Sequence, residues 1–221
     1  MRRAVAALVW KDVRLELRTR ESVPAMVLFS LSTFVLFHFA LDETEVDGSL
    51  AAGILWVTLL FATILGVNRL FVAEREEGGF DGFLLAPVDR TALFVAKAFV
   101  LFCFLVLVEL FVVAAFTLLL LGPSLRLNLV VVLLLADVGL AVVGTLVAGL
   151  AVQTRARDLL GPLLALPLSV PLVIAGARAS APLLTEGGAG ALETRWLLTL
   201  GLYDLVFGLL AYAIFDFLLE E

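Results

Sequence analysis

The sequence predicts an all-α polytopic membrane protein: six transmembrane helices preceded by an N-terminal amphipathic interfacial helix. Three observations carry this. Of 221 residues, 62% are hydrophobic, and mean hydropathy is +1.12. Charged residues make up 16%, against roughly 25% in soluble proteins. Apolar stretches of about 18 residues or more recur, and a helix needs about 20 residues to cross the hydrocarbon core. In lipid the backbone must satisfy its own hydrogen bonds, so such stretches are helices. The net charge of -6 decides little, because orientation follows the placement of basic residues. Residues 1–221 read as one transmembrane domain.

The first segment, residues 1–21, reads MRRAVAALVWKDVRLELRTRE. Lys11, Asp12, Arg14, Glu16 and Arg18 interrupt its apolar residues, so it lacks the continuous core of a signal peptide. It reads as an amphipathic helix on the membrane, with Leu8, Val9, Trp10, Val13 and Leu17 toward lipid and basic side chains toward headgroups. A plain basic tail is the alternative.

Six spans follow, at about residues 22–41, 51–71, 92–121, 128–152, 159–178 and 197–219. With a cytoplasmic N-terminus, the inner segments hold Arg2, Arg3, Lys11, Arg14, Arg18, Arg20, Arg69, Arg75, Arg90, Lys97, Arg155 and Arg157. The outer ones hold only Arg126, Arg178 and Arg195. The positive-inside rule therefore puts both termini in the cytoplasm. The fifth span carries Pro162, Pro167 and Pro171. Proline removes a backbone donor, so this span is expected to bend or partly unwind, either along a substrate path or for packing alone. Residues 179–196 could form short re-entrant or interfacial helices, or a disordered loop.

Several polar residues fall inside spans. Glu109, Asp137 and Asp204 all count into the outer half, the first two about 15 Å and the third about 10 Å below the outer surface at 1.5 Å per residue. Intramembrane charge is costly and faces protein or water. The three acids either line a path or are protonated or hydrogen-bonded for packing. His38, the one histidine, reads as an interfacial residue bonding nearby acids such as Asp42, with haem ligation as the weaker alternative. Cys103 has no CxxC or histidine neighbour and reads as a small core or lipid-facing residue. Gly144 and Ala148 form a small-xxx-small pair that lets another helix approach closely.

The sequence has no G-x-x-x-x-G-K-[ST], H-E-x-x-H or G-x-S-x-G. Catalysis by this chain alone is not expected, no metal site is expected, and a soluble partner would have to supply ATP hydrolysis.

The loop between spans two and three reads AEREEGGFDGFLLAPVDR, residues 73–90. Glu74, Arg75, Glu76 and Glu77 stand at the inner mouth of span two. Gly78, Gly79 and Gly82 permit tight turns. Phe80, Phe83 and Leu84 share one face of a short helix, which Leu85 widens and Pro87 ends. Asp89 and Arg90 lead into span three, where an acid near a helix N-terminus is favoured. A short apolar-faced helix in the cytosol is a docking element; the alternative is insertion of its aromatic face into headgroups.

Two stretches carry a resemblance: GILWVTLLFATILGVNRLFVAEREEGGFDGFLLAPVDRTALFVAKAF and VAGLAVQTRARDLLGPLLALPLSVPLVIAG. They resemble the CcmB family, the membrane subunits of the cytochrome c maturation ABC transporter, and the similarity extends over essentially the whole chain. It implies an ABC-2-type permease in the bacterial cytoplasmic membrane. Residues 74–90 would be its coupling helix, seated on a CcmA-like ATPase through Glu74, Arg75, Glu76, Gly79, Gly82, Leu84, Leu85, Pro87, Asp89 and Arg90, beside the apolar face of Phe80 and Phe83. The second inner loop would add a smaller contact through Arg155, Arg157 and Asp158. The resemblance also implies CcmC-, CcmD- and CcmE-like partners and a second copy of the chain. Haem belongs to the level of the complex and ATP to the partner, with no cofactor bound by this chain alone and no nucleic-acid partner. Two other functions stay open on the residues themselves: a gradient-driven secondary transporter using Glu109, Asp137 and Asp204, and a scaffold that transports nothing.

Overall fold

In lipid, an uninterrupted apolar run has one low-energy backbone, the α-helix, and the protein is built accordingly. A computed structural model describes residues 1–41, 46–71, 90–121, 127–152, 157–185 and 192–218. The helices are α1 (Arg2–Thr19), α2 (Ser22–Ala40), α3 (Gly48–Arg69), α4 (Arg90–Phe116), α5 (Leu127–Val152), α6 (Arg157–Ser180) and α7 (Thr194–Leu218). No strand occurs among the described residues. Six of the helices, α2 to α7, are long and apolar enough to cross a membrane, and they begin and end within three residues of the expected spans once the turn Thr117–Leu121 that continues α4 is counted with it.

Burial separates centre from rim. In its most apolar stretch, 72% of α3 is buried, against 11% of α7. The central helices α3 and α5 pack against α6, with α4 closing α5 and α2 on their other sides. Small residues permit the closest approaches. A Cβ on Gly144 would stand 2.6 Å from Val67 Cγ2, and one on Gly176 would stand 2.5 Å from Trp56 Cζ2. The small-xxx-small face of Gly144 and Ala148 is thus occupied inside the chain, by α3 and α4 at Gly144. Trp56 is buried, and its indole N–H donates to Ser180 Oγ at 2.8 Å.

The fifth span differs from expectation. Pro162, Pro167 and Pro171 lie inside an unbroken helix, α6, rather than in an unwound segment. Neighbouring helices in a bundle can satisfy backbone groups that proline frees. Tyr203 on α7 donates its hydroxyl proton to the carbonyl of Leu168, next to the Pro167 carbonyl that Pro171 leaves without a helical donor. Residues after α6 form a short 3-10 turn, Ala181–Leu183, and Gly48 N–H donates to Leu184 O at 3.1 Å. Part of the segment expected as re-entrant is thus a tight helical turn tied back to the start of α3.

At the same end, α4 finishes in a π-helical turn, Thr117–Leu121. The last carbonyls of a helix have no helical donors. His38 meets one of them: its Nδ1 lies 2.7 Å from Leu119 O, and Val46 N–H donates to Leu120 O at 2.8 Å. A carbonyl accepts only, so His38 Nδ1 carries the proton. The histidine thus pairs with backbone, where sequence reasoning expected an acid; Asp42 lies outside the described residues.

Candidate functional site

The α1 end of the bundle is where charge is buried. α1 mixes apolar residues with charges along its 18 residues, and it docks on the bundle through an acid. Its inward face runs Val5, Leu8, Val9, Asp12, Glu16, and Asp12 is the residue it buries. Asp12 Oδ2 lies 2.9 Å from Lys97 Nζ, with Lys97 2% and Asp12 7% exposed. Lys97 also donates to the carbonyl of Leu70 at 2.9 Å, and its ammonium stands 5.2 Å from the Phe71 ring centroid. One ammonium group thus touches α1, α4 and the end of α3.

A second set of contacts fixes the turn between α1 and α2. Arg20 takes a left-handed conformation, φ 53, and its N–H returns to Glu16 O at 2.7 Å. The Glu16 carboxylate then accepts from the N–H groups of Ser22 and Val23, at 3.2 and 2.8 Å. These are orphan donors of the first turn of α2, and an acid is favoured there. Glu21, next in the turn, pairs with Arg69 at the end of α3.

The apolar residues of α1 are arranged differently from the sequence expectation. Leu8 packs on the core and Val9 and Val13 are half-buried against the bundle, while Trp10 and Leu17 remain exposed. Arg14 lies over the Trp10 ring, 4.9 Å from its centroid. The apolar residues therefore split between two faces. The reason is Asp12: once it is committed to Lys97, the residues at 5, 8, 9 and 16 are turned inward with it.

Of the expected docking residues, Arg90 is half-buried in the first turn of α4. Glu74, Arg75, Glu76, Gly79, Phe80, Gly82, Phe83, Leu84, Leu85, Pro87 and Asp89 lie outside the described residues, as does Arg155. Arg157 and Asp158 open α6, described by backbone alone. What is described is the frame: Phe71 and Arg90, where the loop leaves and returns, are both on the Lys97 side of the bundle.

The intramembrane acids form a second feature. Glu109 on α4 and Asp137 on α5 are buried and within hydrogen-bonding reach of one another. Glu109 Oε1, Asp137 Oδ2 and both Asp204 oxygens have no hydrogen-bond partner among the described residues. Asp204 faces α5 at Gly139, where an added Cβ would lie 2.4 Å from its Oδ1. The structure brings together the first two acids and sets the third against α5. Among the described residues no group of three His, Cys, Asp or Glu side chains could hold a metal ion. Cys103 is a partly buried free thiol.

Sequence reasoning missed the Asp12–Lys97 pair. It counted Lys97 as one more basic residue for orientation, and it read Asp12 as an interruption of an apolar face. The signal was there: Lys97 is one of two lysines in the chain, set among ALFVA and AFVLF.

The model of the CcmB protein family matches residues 3–216. Heme exporter protein B of Bradyrhizobium diazoefficiens is 32% identical over 217 residues, covering 95% of this chain and 96% of the relative. The Rhodobacter capsulatus protein of the same name is 35% identical, covering 77% of this chain and 79% of its own length. That of Paracoccus denitrificans is 33% identical, covering 84% of each. With a family match along nearly its full length and relatives above 30% identity across most of theirs, the chain belongs to the CcmB family.

Proposed function

We propose that the chain is the permease subunit of an ABC-type haem exporter complex of cytochrome c maturation. In this reading it lies in the bacterial inner membrane with both termini in the cytoplasm. A CcmA-like ATPase binds ATP and seats on residues 74–90, with Arg155, Arg157 and Asp158 as a smaller contact. A second copy completes the membrane unit, and CcmC-, CcmD- and CcmE-like proteins complete the complex. ATP hydrolysis is coupled to haem delivery and to release of the haem-loaded chaperone.

The observation that supports this reading beyond the family match is the charged joint at the α1 end. Lys97 gathers the carbonyl of Leu70, the Phe71 ring and Asp12, so the described residues that precede position 72 are cross-linked to α4 and α1. A docking loop transmits force only if its roots are held. The excess of basic residues at that end supports a cytoplasmic position for the segment.

The test is co-purification. Phe83→Asp or Leu84→Asp sets a charge in the apolar docking face, at a cost on the order of 2 kcal/mol or more. Each variant is expected to insert normally and to lose the CcmA-like ATPase. Undiminished binding by both would refute the seat.

The buried carboxyls favour a second reading, a gradient-driven transporter working through Glu109, Asp137 and Asp204. It predicts that Glu109→Gln, Asp137→Asn and Asp204→Asn together abolish haem transfer in reconstituted vesicles. The ABC reading predicts that transfer persists in this triple variant and stops when ATP is withheld.

A further inference from the structure

Along α1 the sequence mixes bases with acids: Arg2, Arg3, Lys11, Arg14 and Arg18 stand beside Asp12 and Glu16. The structure sorts them by face. Asp12 is buried, with its Oδ2 2.9 Å from Lys97 Nζ. Both Glu16 carboxylate oxygens accept N–H groups at the start of α2. At roughly 100° per residue, Arg3, Trp10, Arg14 and Leu17 fall on one arc directly opposite Asp12, with Arg18 at its edge. All of these are exposed. Among the described residues, no carboxylate pairs with Arg3, Arg14 or Arg18. The outward face of α1 is therefore cationic and free of acids, although the helix as a whole is not.

Two observations make a lipid surface the partner that fits this face. The first is its apolar content. Trp10 is 58% and Leu17 67% exposed, and they alternate with the arginines. The Arg14 guanidinium stands 4.9 Å from the Trp10 ring centroid. Tryptophan is enriched at the membrane interface, and arginine stems cover apolar surface while their heads reach polar groups. The second is depth. With its final turn, α4 covers residues 90–121, about 48 Å and long enough to pass both headgroup layers. Lys97, which Asp12 meets, lies about 10 Å from the start of α4. That sets the middle of α1 at the headgroup–acyl boundary, where amphipathic helices lie about 5–10 Å deep. Arg14 and Arg18 are four residues apart on one side of the helix, about 6 Å at their Cβ atoms, close enough to share one phosphate.

We infer that the outward face of α1 binds anionic phospholipid. Headgroup phosphates meet the guanidinium groups of Arg3, Arg14 and Arg18, and acyl chains cover Trp10 and Leu17. The ligand class is a phospholipid of net negative charge. A zwitterionic headgroup brings a cation of its own, which the unpaired arginines repel. The inference does not depend on where an ATPase seats.

Site-specific photocrosslinking tests it. The full chain carries a photoreactive amino acid in place of Leu17 and sits in nanodiscs of equal phosphatidylglycerol and phosphatidylcholine. The mass of each adduct identifies the lipid. Phosphatidylglycerol adducts are expected to exceed phosphatidylcholine adducts by about fivefold, the factor that one basic residue contributes near an anionic surface. Arg14→Gln with Arg18→Gln is expected to bring the two yields level. High salt should do the same with the arginines in place, because it screens exposed charge. Equal yields with the arginines in place overturn the inference, as does a preference that survives the double substitution or high salt. Inorganic phosphate replacing chloride at equal ionic strength is expected to leave the preference intact. Its loss there would mean that the arginines take a free anion, and would overturn the lipid assignment. In native membranes the same chain is expected to give lipid adducts. Predominant protein adducts would show that a partner or a second copy covers this face, which also overturns the inference.

Discussion

At the scale of single residues, the chain stores its most informative charges where a hydropathy profile hides them. Lys97 sits between apolar pentads, and Asp12 sits in a helix with basic neighbours on either side, so neither announces its partner. Their pairing depends on how α1 folds back on α4, which is tertiary. The acids were more legible. Counting rise per residue put Glu109 and Asp137 at one depth, and the structure sets them side by side, because two antiparallel helices joined by a short connection place equal depths together. Removing Lys97 leaves the buried Asp12 facing only the more exposed Lys11, 3.4 Å from its Oδ1, among the ion pairs the structure describes. Lys97→Met is therefore expected to destabilise the fold by about 3–5 kcal/mol, and joint replacement of Asp12 and Lys97 by leucine to recover most of that loss. Equilibrium unfolding in mixed detergent checks both; equal losses for the single and double variants would show that the charges contribute separately.

At the scale of elements, the spans were readable because lipid leaves the backbone no alternative to helix. The behaviour of α6 was not. Proline's local rule forecasts a break, yet the helix continues through Pro162, Pro167 and Pro171, with Tyr203 bonding the carbonyl of Leu168. Neighbours decide such cases, and no window along one sequence contains them. The same holds for glycine. Gly176 and Gly201 look alike in sequence, but a Cβ on Gly176 would meet the Trp56 ring at 2.5 Å, whereas nothing lies within 4 Å of one on Gly201. Gly176→Ala should therefore cost about 1–3 kcal/mol through overpacking, and Gly201→Ala should cost nothing measurable. The pair of unfolding curves tests the α3–α6 seam; two indistinguishable curves would mean that Trp56 can give way.

At the scale of the whole molecule, the six spans and the separate N-terminal helix were legible, and the family followed from two stretches of sequence. The docking of α1 was legible only in part: the helix was expected, but its apolar residues were assigned to one lipid-facing side. In the structure Asp12 turns the inward face toward Lys97, leaving Trp10, Arg14 and Leu17 outside. The result is a bundle whose one end is apolar packing and backbone pairing, through His38 and Val46, and whose other end is a frame of ion pairs around the roots of the 72–89 segment. The central claim is that a partner ATPase seats on that segment. Site-specific photocrosslinking addresses it directly, with a photoreactive amino acid at Phe80, Phe83, Leu84 or Leu85 in turn, in membranes holding a CcmA-like ATPase. The account predicts ATPase adducts at Phe83 and Leu84. Adducts to lipid alone at all four positions would contradict it, because the apolar face would then lie in the headgroups.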